Sequence, residues 1–281
     1  MFVFSTYSEI QKHLKKYSGT LGLVPTMGSL HDGHLSLVQK ACNENDHVVV
    51  SVFINPTQFN NTNDLKKYPR NLAKDQELLN SINENIIFYT PDSEDLYPDQ
   101  VIAKSYDFGS IAVHMEGSFR PGHFNGVATV VEALLRKFKP NRAYFGQKDF
   151  QQLRVIQLLN SQLDLGVEII GCPTVRENDG LAMSSRNQLL NNKERKAAAL
   201  IYYTLKKLSV HKNHKNVDLI EAFFIKNIEK EKCLKLEYFF VANPKELIPV
   251  KEIMPNKTYW VYVSVYAGKT RLIDNKELKR I

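Results

Sequence analysis

The sequence predicts an α/β protein: a parallel sheet covered by helices over about residues 1–174, followed by a smaller α+β domain over 175–281. From residue 2 to about 170, short apolar runs alternate with stretches of helical periodicity, the pattern of successive strand–helix units. Within it, His47-Val48-Val49-Val50-Ser51-Val52-Phe53-Ile54 is almost wholly apolar and β-branched, as suits a central strand buried on both faces. Beyond Pro173 the chain changes to two lysine-rich amphipathic stretches and then strand-like runs. That part has about 105 residues, too few for a second large α/β domain.

Composition bounds the class. The 281 residues are 43% hydrophobic and 24% charged, as expected of a soluble globular protein with a substantial core. Residues 1–16 contain Glu9 and no long apolar run, so no signal peptide is expected, and no stretch is long enough to span a membrane. Cys42, Cys172 and Cys233 are odd in number and far apart in apolar surroundings. This argues against a disulfide framework and for a cytoplasmic setting. The formal charge of +7 and pI near 9.1 raise the question of nucleic acid, but the lysines are scattered and no arginine–aromatic module accompanies them. A solvated basic surface is the better reading, and the same field favours small anionic substrates.

Taken in order, Leu21-Gly22-Leu23-Val24 reads as a buried strand, and Leu35, Val38 and Cys42 recur at helical spacing. Between them lies Pro25-Thr26-Met27-Gly28-Ser29-Leu30-His31-Asp32-Gly33-His34, a strand-to-helix junction. Gly28 and Gly33 let backbone approach a ligand, and His31 and His34, three apart, can face one way at the helix start. Unpaired N–H groups and the positive end of the helix dipole attract an anion at such a point. Two histidines there suit phosphate, where charge develops on phosphorus. A His-x-x-His taken alone is more often a capping or packing pair, and a zinc helix would space its histidines by four around a glutamate.

The strand at 47–54 ends in Asn55-Pro56-Thr57-Gln58-Phe59, which brings polar side chains to a carboxyl edge, where open α/β sheets bind ligands. A polar segment at 60–70 precedes a helix through Leu72, Gln76 and Leu79. Ile86-Ile87-Phe88-Tyr89 is the next strand, and 90–98 a proline-punctuated loop. Residues 116–126, glycine-rich yet aromatic, lead into a helix over 127–138. Arg142-Ala143-Tyr144-Phe145 is a strand with Gly146-Gln147-Lys148-Asp149 at its exit. A helix follows through Gln151, Gln152 and Leu153, and 167–171 is the last strand before Pro173. The C-terminal part has helices at about 192–209 and 216–231, with His211 and His214 in a solvated loop between them. Strands are expected at 236–242, 258–266 and 270–274, the last two a hairpin through Gly268.

Three strand exits thus present His31/His34, Asn55/Gln58 and Lys148/Asp149, and a loop with Ser184, Ser185 and Arg186 follows. Hydroxyls, a guanidinium and an ammonium are what a triphosphate needs. Singly, each has a plain reading as a helix cap, a surface ion pair or a turn. Their joint appearance at successive strand ends is what points to a site.

In these residues the chain resembles the pantoate–β-alanine ligases of the His-x-Gly-His nucleotidyltransferase superfamily. The resemblance runs through residues 25–34, 53–59, 68–70, 94–98, 119–127, 145–153 and 175–187. It implies a Rossmann-like domain over 1–174 that binds ATP and pantoate, and a C-terminal α+β lid domain over 175–281. It implies ATP-dependent condensation of (R)-pantoate with β-alanine to (R)-pantothenate, AMP and diphosphate through a pantoyl adenylate, with Mg2+ required. A cytoplasmic homodimer acting on these small molecules, and binding neither nucleic acid nor membrane, is the corresponding expectation.

By the same resemblance, ATP would meet Met27, Gly28, His31, His34, Gly146, Gln147, Lys148, Asp149, Val175, Met183, Ser184, Ser185 and Arg186. His34, His31, Lys148 and Arg186 would be the catalytic set, with His34 assisting departure of diphosphate and Val175 against adenine. Gln58 and Gln152 would hold pantoate, and Gln58 would also meet β-alanine; an amide offers donors to a carboxylate and an acceptor to a hydroxyl. Arg120 and His123 fall in the family's mobile cover, which would keep water from the mixed anhydride. His114 is structural. Two departures stand out. Gln147 occupies a position where members often have Glu. The 74–78 stretch keeps Asp75 without a dense acidic cluster, so no protein ligand for the metal is assigned and Mg2+ would travel with ATP. The competing readings are a nucleotidyltransferase acting on a phosphate-bearing substrate and a basic RNA-binding module; the Gln58/Gln152 pair has no role in the latter.

Overall fold

The structure, a computed structural model, describes residues 1–59, 65–66, 68–97, 100–208 and 215–278. Much of the polar segment at 60–70, Pro98 and the His211/His214 loop lie outside these residues. The chain divides into two compact units. One comprises Met1–Phe108, Arg120–Gln147 and Gln152–Pro173; the other comprises Gly109–Phe119, Lys148–Gln151 and Thr174–Ile281.

The first unit carries the strands β1 (Phe2–Phe4), β2 (Leu21–Thr26), β3 (His47–Val52), β4 (Ile87–Tyr89), β5 (Arg142–Gly146) and β6 (Glu168–Cys172). They form one sheet in the order β1-β4-β3-β2-β5-β6, and every pairing is parallel. Leu23 and Val24 of β2 and Val49 and Val50 of β3 are fully buried. Each such side chain contributes about 1.5–3 kcal/mol of transfer free energy, which is why the unbroken apolar runs become the central strands. The chain lays down β2, β3 and β4 in one direction, then crosses back to put β5 beside β2. Open parallel sheets bind ligands at the carboxyl ends of strands where the order reverses, and in this sheet the reversal falls between β2 and β5.

Helices α1 (Tyr7–Leu14), α2 (Asp32–Glu44), α3 (Leu72–Ile82) and α4 (Ser93–Leu96) lie between the early strands. On α2, Leu37, Val38 and Ala41 are buried in a cluster with Val24, Val48 and Val50, and Leu35 and Cys42 pack on its margin. Cys42 and Cys172 are free thiols, and burial pushes both thiol pKa values up, which fits packing residues.

Two further helices of the chain are α5 (Glu116–Phe119) and α6 (His123–Phe138). α6 begins at His123 and not near 127, because Gly122, at φ 79°, takes the left-handed turn that starts it. Gly126 then falls inside the helix, where a Cβ would stand 2.3 Å from the Thr57 carbonyl oxygen; only glycine lets the helix lie this close to the turn after β3.

Further along α6, Glu132 accepts hydrogen bonds from Lys104 Nζ at 2.8 Å, Tyr106 Oη at 2.5 Å and Arg136 Nε at 2.7 Å. Burial works against its charge, but these three partners outweigh burial and bring its pKa down to about 2. A depressed carboxyl contributes stability above its unfolded pKa, about 4.3, and loses it as pH falls towards the folded value. Lys104 and Arg136 are exposed, so screening trims the gain. Glu132→Gln is expected to cost about 2 kcal/mol at pH 7 and less at pH 3, as read by thermal melts. An equal cost at both pH values would refute this assignment.

The second unit is the smaller α+β part. Its helices α8 (Asn192–Leu208) and α9 (Val217–Ile228), which follow α7 (Phe150–Gln162) in the chain, pack on an antiparallel sheet. The sheet runs β7 (Leu234–Ala242), β8 (Tyr259–Ala267) and β9 (Thr270–Leu278) in order, and Gly268, at φ 59°, closes the β8–β9 hairpin. Ile201, Leu205, Phe224, Val261 and Val263 form part of its core.

Two earlier segments are anchored here. Gln151 donates to the carbonyls of Ile111 and His114 at 2.7 and 2.8 Å and accepts the Glu116 N–H at 3.0 Å. Arg271 on β9 makes a fork to Glu116 at 2.8 and 2.6 Å and reaches Glu237 at 2.7 Å, and Tyr238 Oη donates to Glu116 at 2.8 Å. No helix among the described residues is long and apolar enough to cross a membrane.

Candidate active site

The junction after β2 is a tight turn held from behind. Gly28 has φ 79°, and a Cβ there would stand 2.8 Å from Val52 Cγ1 and 3.0 Å from Asp75 Oδ2, so both backbone and space require glycine. Ser29, at φ 52°, is also left-handed. Asp75 on α3 accepts the N–H groups of Ser29 at 2.9 Å and Leu30 at 2.7 Å. Burial raises the Asp75 carboxyl pKa, opposed by these two bonds and by Lys74.

His31 caps α2, its Nδ1 accepting the Gly33 N–H at 3.1 Å, so the neutral ring carries its proton on Nε2. His34 follows on the next turn, its N–H bonded to the His31 carbonyl at 2.7 Å. The two rings lie 4.0 Å apart, tilted by 32°. The pair is therefore both a cap and a presented cluster: one nitrogen of His31 serves the helix and the other is a donor.

The exit of β3 forms a single 3-10 turn, Pro56–Gln58, capped by Asn55. Asn55 is buried, its Oδ1 accepting from Thr57 Oγ1 at 2.9 Å and Tyr97 Oη at 3.0 Å, its Nδ2 donating to the Gly126 carbonyl at 3.0 Å. The same Nδ2 donates to Gln58 Oε1 at 3.2 Å, and Gln58 Nε2 lies 2.9 Å from Met27 Sδ. Gln58 is thereby oriented from both ends of its amide, and it touches the turn that carries the histidines.

The backbone carbonyl of Gln58 is gripped as well. His123 Nδ1 lies 2.8 Å from it; a carbonyl only accepts, so Nδ1 holds the proton and Nε2 accepts from Arg120 Nη1 at 3.1 Å. Arg120 Nη2 donates to the same carbonyl at 3.3 Å. The residues expected in a cover are thus tied to the turn that holds Gln58. Gly146 ends β5, beside β2, and the half-buried Gln147 follows it. Gln152 sits half-buried on α7 and is not hydrogen-bonded to Gln58.

In the second unit, Lys148 and Asp149 form an ion pair at 3.6 Å, and the Lys148 carbonyl accepts from Asn275 Nδ2 at 2.8 Å. The stretch from Val175 to Met183 turns back on itself: Met183 N–H bonds the Val175 carbonyl at 3.0 Å, Glu177 N–H bonds the Leu181 carbonyl at 2.8 Å, and Gly180 at φ 92° makes the bend. Val175 and Met183 are thereby set side by side. Arg176 pins this bend to β9 through Asp274 at 2.7 and 2.9 Å and stacks on Tyr202, 3.6 Å from the ring centre. Ser184 caps the 3-10 turn Ser185–Leu189 by accepting the Arg186 N–H at 3.3 Å.

Asn55 and Asp75 hold the first unit's cluster in place; sequence reasoning set Asn55 beside Gln58 at a strand exit without giving it a ligand, and noted Asp75 only as an acid that the 74–78 stretch keeps. Asn55 had a signal, since an asparagine before proline at a strand exit is a cap. Asp75 had a fainter one: it shares the buried face of α3 with Leu79, one turn on.

A helix start bearing two histidines beside the switch point of a parallel sheet defines an α/β enzyme built to handle phosphate. The family model described as Pantoate-beta-alanine ligase matches residues 2–277. The chain is 42% identical to the pantothenate synthetase of Flavobacterium psychrophilum, over 99% of this chain and 100% of that one. It is 45% identical to that of Christiangramia forsetii, over 95% and 94%. The crystal structure of pantoate-beta-alanine ligase (pantothenate synthetase) from Thermus thermophilus matches with a TM-score of 0.91 at 38% identity, covering 99% and 100%. That of the Francisella tularensis ligase, complexed with beta-gamma ATP and beta-alanine, matches with a TM-score of 0.83 at 36% identity, covering 98% and 97%. The chain belongs to the pantoate–β-alanine ligase family, and it is a ligase that joins pantoate to β-alanine.

Proposed function

We propose that the reaction runs in two steps on the residues described, with ATP as the energy source. The pantoate carboxylate attacks the α-phosphorus of ATP, forming pantoyl adenylate and releasing diphosphate; the amine of β-alanine then attacks the acyl carbon and AMP leaves. The observation that carries this reading is the His31/His34 pair at the start of α2, its rings 4.0 Å apart just after the left-handed turn at Gly28. A carboxylate approaching a triphosphate needs the charge on the transferring phosphorus offset, and fixed donors supply that without reorganisation.

His31 and His34 donate to the phosphates, and His34 assists diphosphate as it departs. Met27, Gly28, Gly146 and Gln147 lie along the nucleotide, and Asp149 receives ribose hydroxyls. Lys148 and Arg186 offset charge on the phosphates, with the Ser184 and Ser185 hydroxyls as further donors and Met183 in the same stretch, and Val175 lies against adenine. Gln58 and Gln152 read the pantoate carboxylate and hydroxyl, and Gln58 meets β-alanine. The Gln58 amide, held by Asn55 and Met27, is poised for such a reading. That the Francisella ligase was crystallised in complex with beta-gamma ATP and beta-alanine supports the same pair of ligands here.

Mg2+ belongs with the triphosphate in this reading, held by phosphate and water. The Asp75 carboxylate is already committed to two backbone N–H groups. We also propose a cytoplasmic homodimer and a functional boundary near residue 174, both on the family resemblance.

The test is product formation with each component left out in turn, followed by mass spectrometry. AMP and pantothenate are expected only when ATP, pantoate and β-alanine are all present. AMP release indifferent to either organic substrate would favour a plain nucleotidyltransferase.

A further inference from the structure

The turn between β2 and α2 has an occupant of its own. Gly28 and Ser29 are consecutive residues with left-handed φ, and the N–H groups of Ser29 and Leu30 that follow this bend converge on one anion. Here the anion is the protein's own: Asp75 Oδ2 takes the Ser29 N–H at 2.9 Å and Oδ1 takes the Leu30 N–H at 2.7 Å, from a side chain that is 1% exposed. These two N–H groups are consequently not offered to a substrate phosphate. Recognition of the phosphates from this turn falls instead on the next residues, His31 and His34.

We propose that Asp75 is a positioning residue for the ligase reaction, its carboxylate fixing the turn from which His31 and His34 project. Three features support a geometric role beyond plain stability. Serine has no glycine-like freedom at φ 52°, so the left-handed Ser29 needs a local restraint, and the fork of Asp75 supplies it. The restraint ends at Leu30, and His31 is the next residue and the cap of α2. Asp75 Oδ2 also lies 3.0 Å from where a Gly28 side chain would begin, so carboxylate and glycine are fitted to each other. A shift of about 1 Å in a catalytic group can cost a hundredfold in rate, which sets the scale on which such a restraint matters.

The inference rests on the proposed role of His34, and the test separates the two. The single-turnover rate of adenylate formation is measured for wild type, Asp75→Asn, His34→Ala and the double variant, with Leu79→Ala as a destabilised control from the same helix. Asp75→Asn keeps the size but turns one acceptor into a donor against an N–H. It is expected to lower the rate about 30–100-fold while KM for ATP stays within about threefold. Added to His34→Ala, it is expected to cost less than about threefold, because both changes disable one unit. Leu79→Ala, matched in melting temperature, is expected to keep the rate within about threefold.

If Asp75→Asn does not fold, Asp75→Glu is assayed in its place; it keeps both acceptor oxygens one methylene further out, with an expected loss of about tenfold. A rate within about threefold of wild type in the variant assayed, a full additive loss in the double variant, or an equal loss in Leu79→Ala overturns the inference. A near-normal rate in His34→Ala would instead overturn the reading of the histidines on which it stands.

Discussion

His34→Ala is expected to lower turnover by about two to three orders of magnitude while leaving the fold unchanged. His34 is only half-buried, at the start of α2, whose anchoring residues are Leu37, Val38 and Ala41 one to two turns on. Its removal therefore opens no large cavity, and the melting temperature should move by no more than a few degrees, roughly 1 kcal/mol. In the proposed reaction His34 donates to the departing diphosphate, and such a donor is worth about 3–4 kcal/mol in the transition state and much less in the ground state. Steady-state kinetics should accordingly show the loss in kcat, with KM for ATP little changed. Turnover near that of wild type would remove the histidine pair from the chemistry.

Arg271→Ala is expected to destabilise the second unit by about 3–5 kcal/mol. Arg271 is 19% exposed and stands between Glu116, at 8%, and Glu237, at 14%. Burial alone would depress its pKa, but the two carboxylates outweigh burial and hold the guanidinium above its ordinary value. Tyr238 Oη, deeply buried and bonded to Glu116, has its pKa pushed well up, first by desolvation and then by that carboxylate. Taking away the cation leaves two carboxylates facing each other with little water. The consequence extends to α5, because Glu116 is the charged tie that holds it to β9. At roughly 2–4 °C per kcal/mol, the loss should appear as a fall of ten degrees or so in melting temperature. A loss below about 1 kcal/mol would mean that the fork contributes no more than an exposed ion pair.

The parallel sheet was legible because its evidence is local. Val48, Val49 and Val50 cannot be a half-exposed strand, and a strand buried on both faces implies covering helices. The hairpin through Gly268 and the two helices before it were legible for the same reason. The edge strand Phe2–Phe4 was not, since three residues carry too little periodicity. The start of α6 was placed too late because Gly122 and Gly126 read as loop formers, when one begins the helix and the other permits close approach to Thr57.

The candidate site was partly legible. His31, His34, Gln58 and the pair Lys148/Asp149 follow strand ends, and strand ends can be read from apolar runs. What holds those residues comes from afar in the chain. Asp75 reaches Ser29 across 46 positions, Tyr97 reaches Asn55 across 42, and His123 reaches Gln58 across 65. Such ties carry no short-range pattern. A second element was hidden for a related reason: Lys148 and Gln151 follow β5 directly, yet they group with the C-terminal unit through Asn275 and Glu116.

Pantoyl adenylate is the species on which the proposed reaction depends, and pantoate labelled with 18O in its carboxylate tests it most directly. Attack of a carboxylate oxygen on the α-phosphorus makes the acyl–phosphate bond, and attack of the β-alanine amine later breaks the carbon–oxygen bond of that linkage. One labelled oxygen must therefore leave on AMP and the other remain in the new amide, which mass spectrometry of the two products resolves. AMP carrying one 18O is the predicted result; unlabelled AMP, with the label in diphosphate or phosphate, would contradict it.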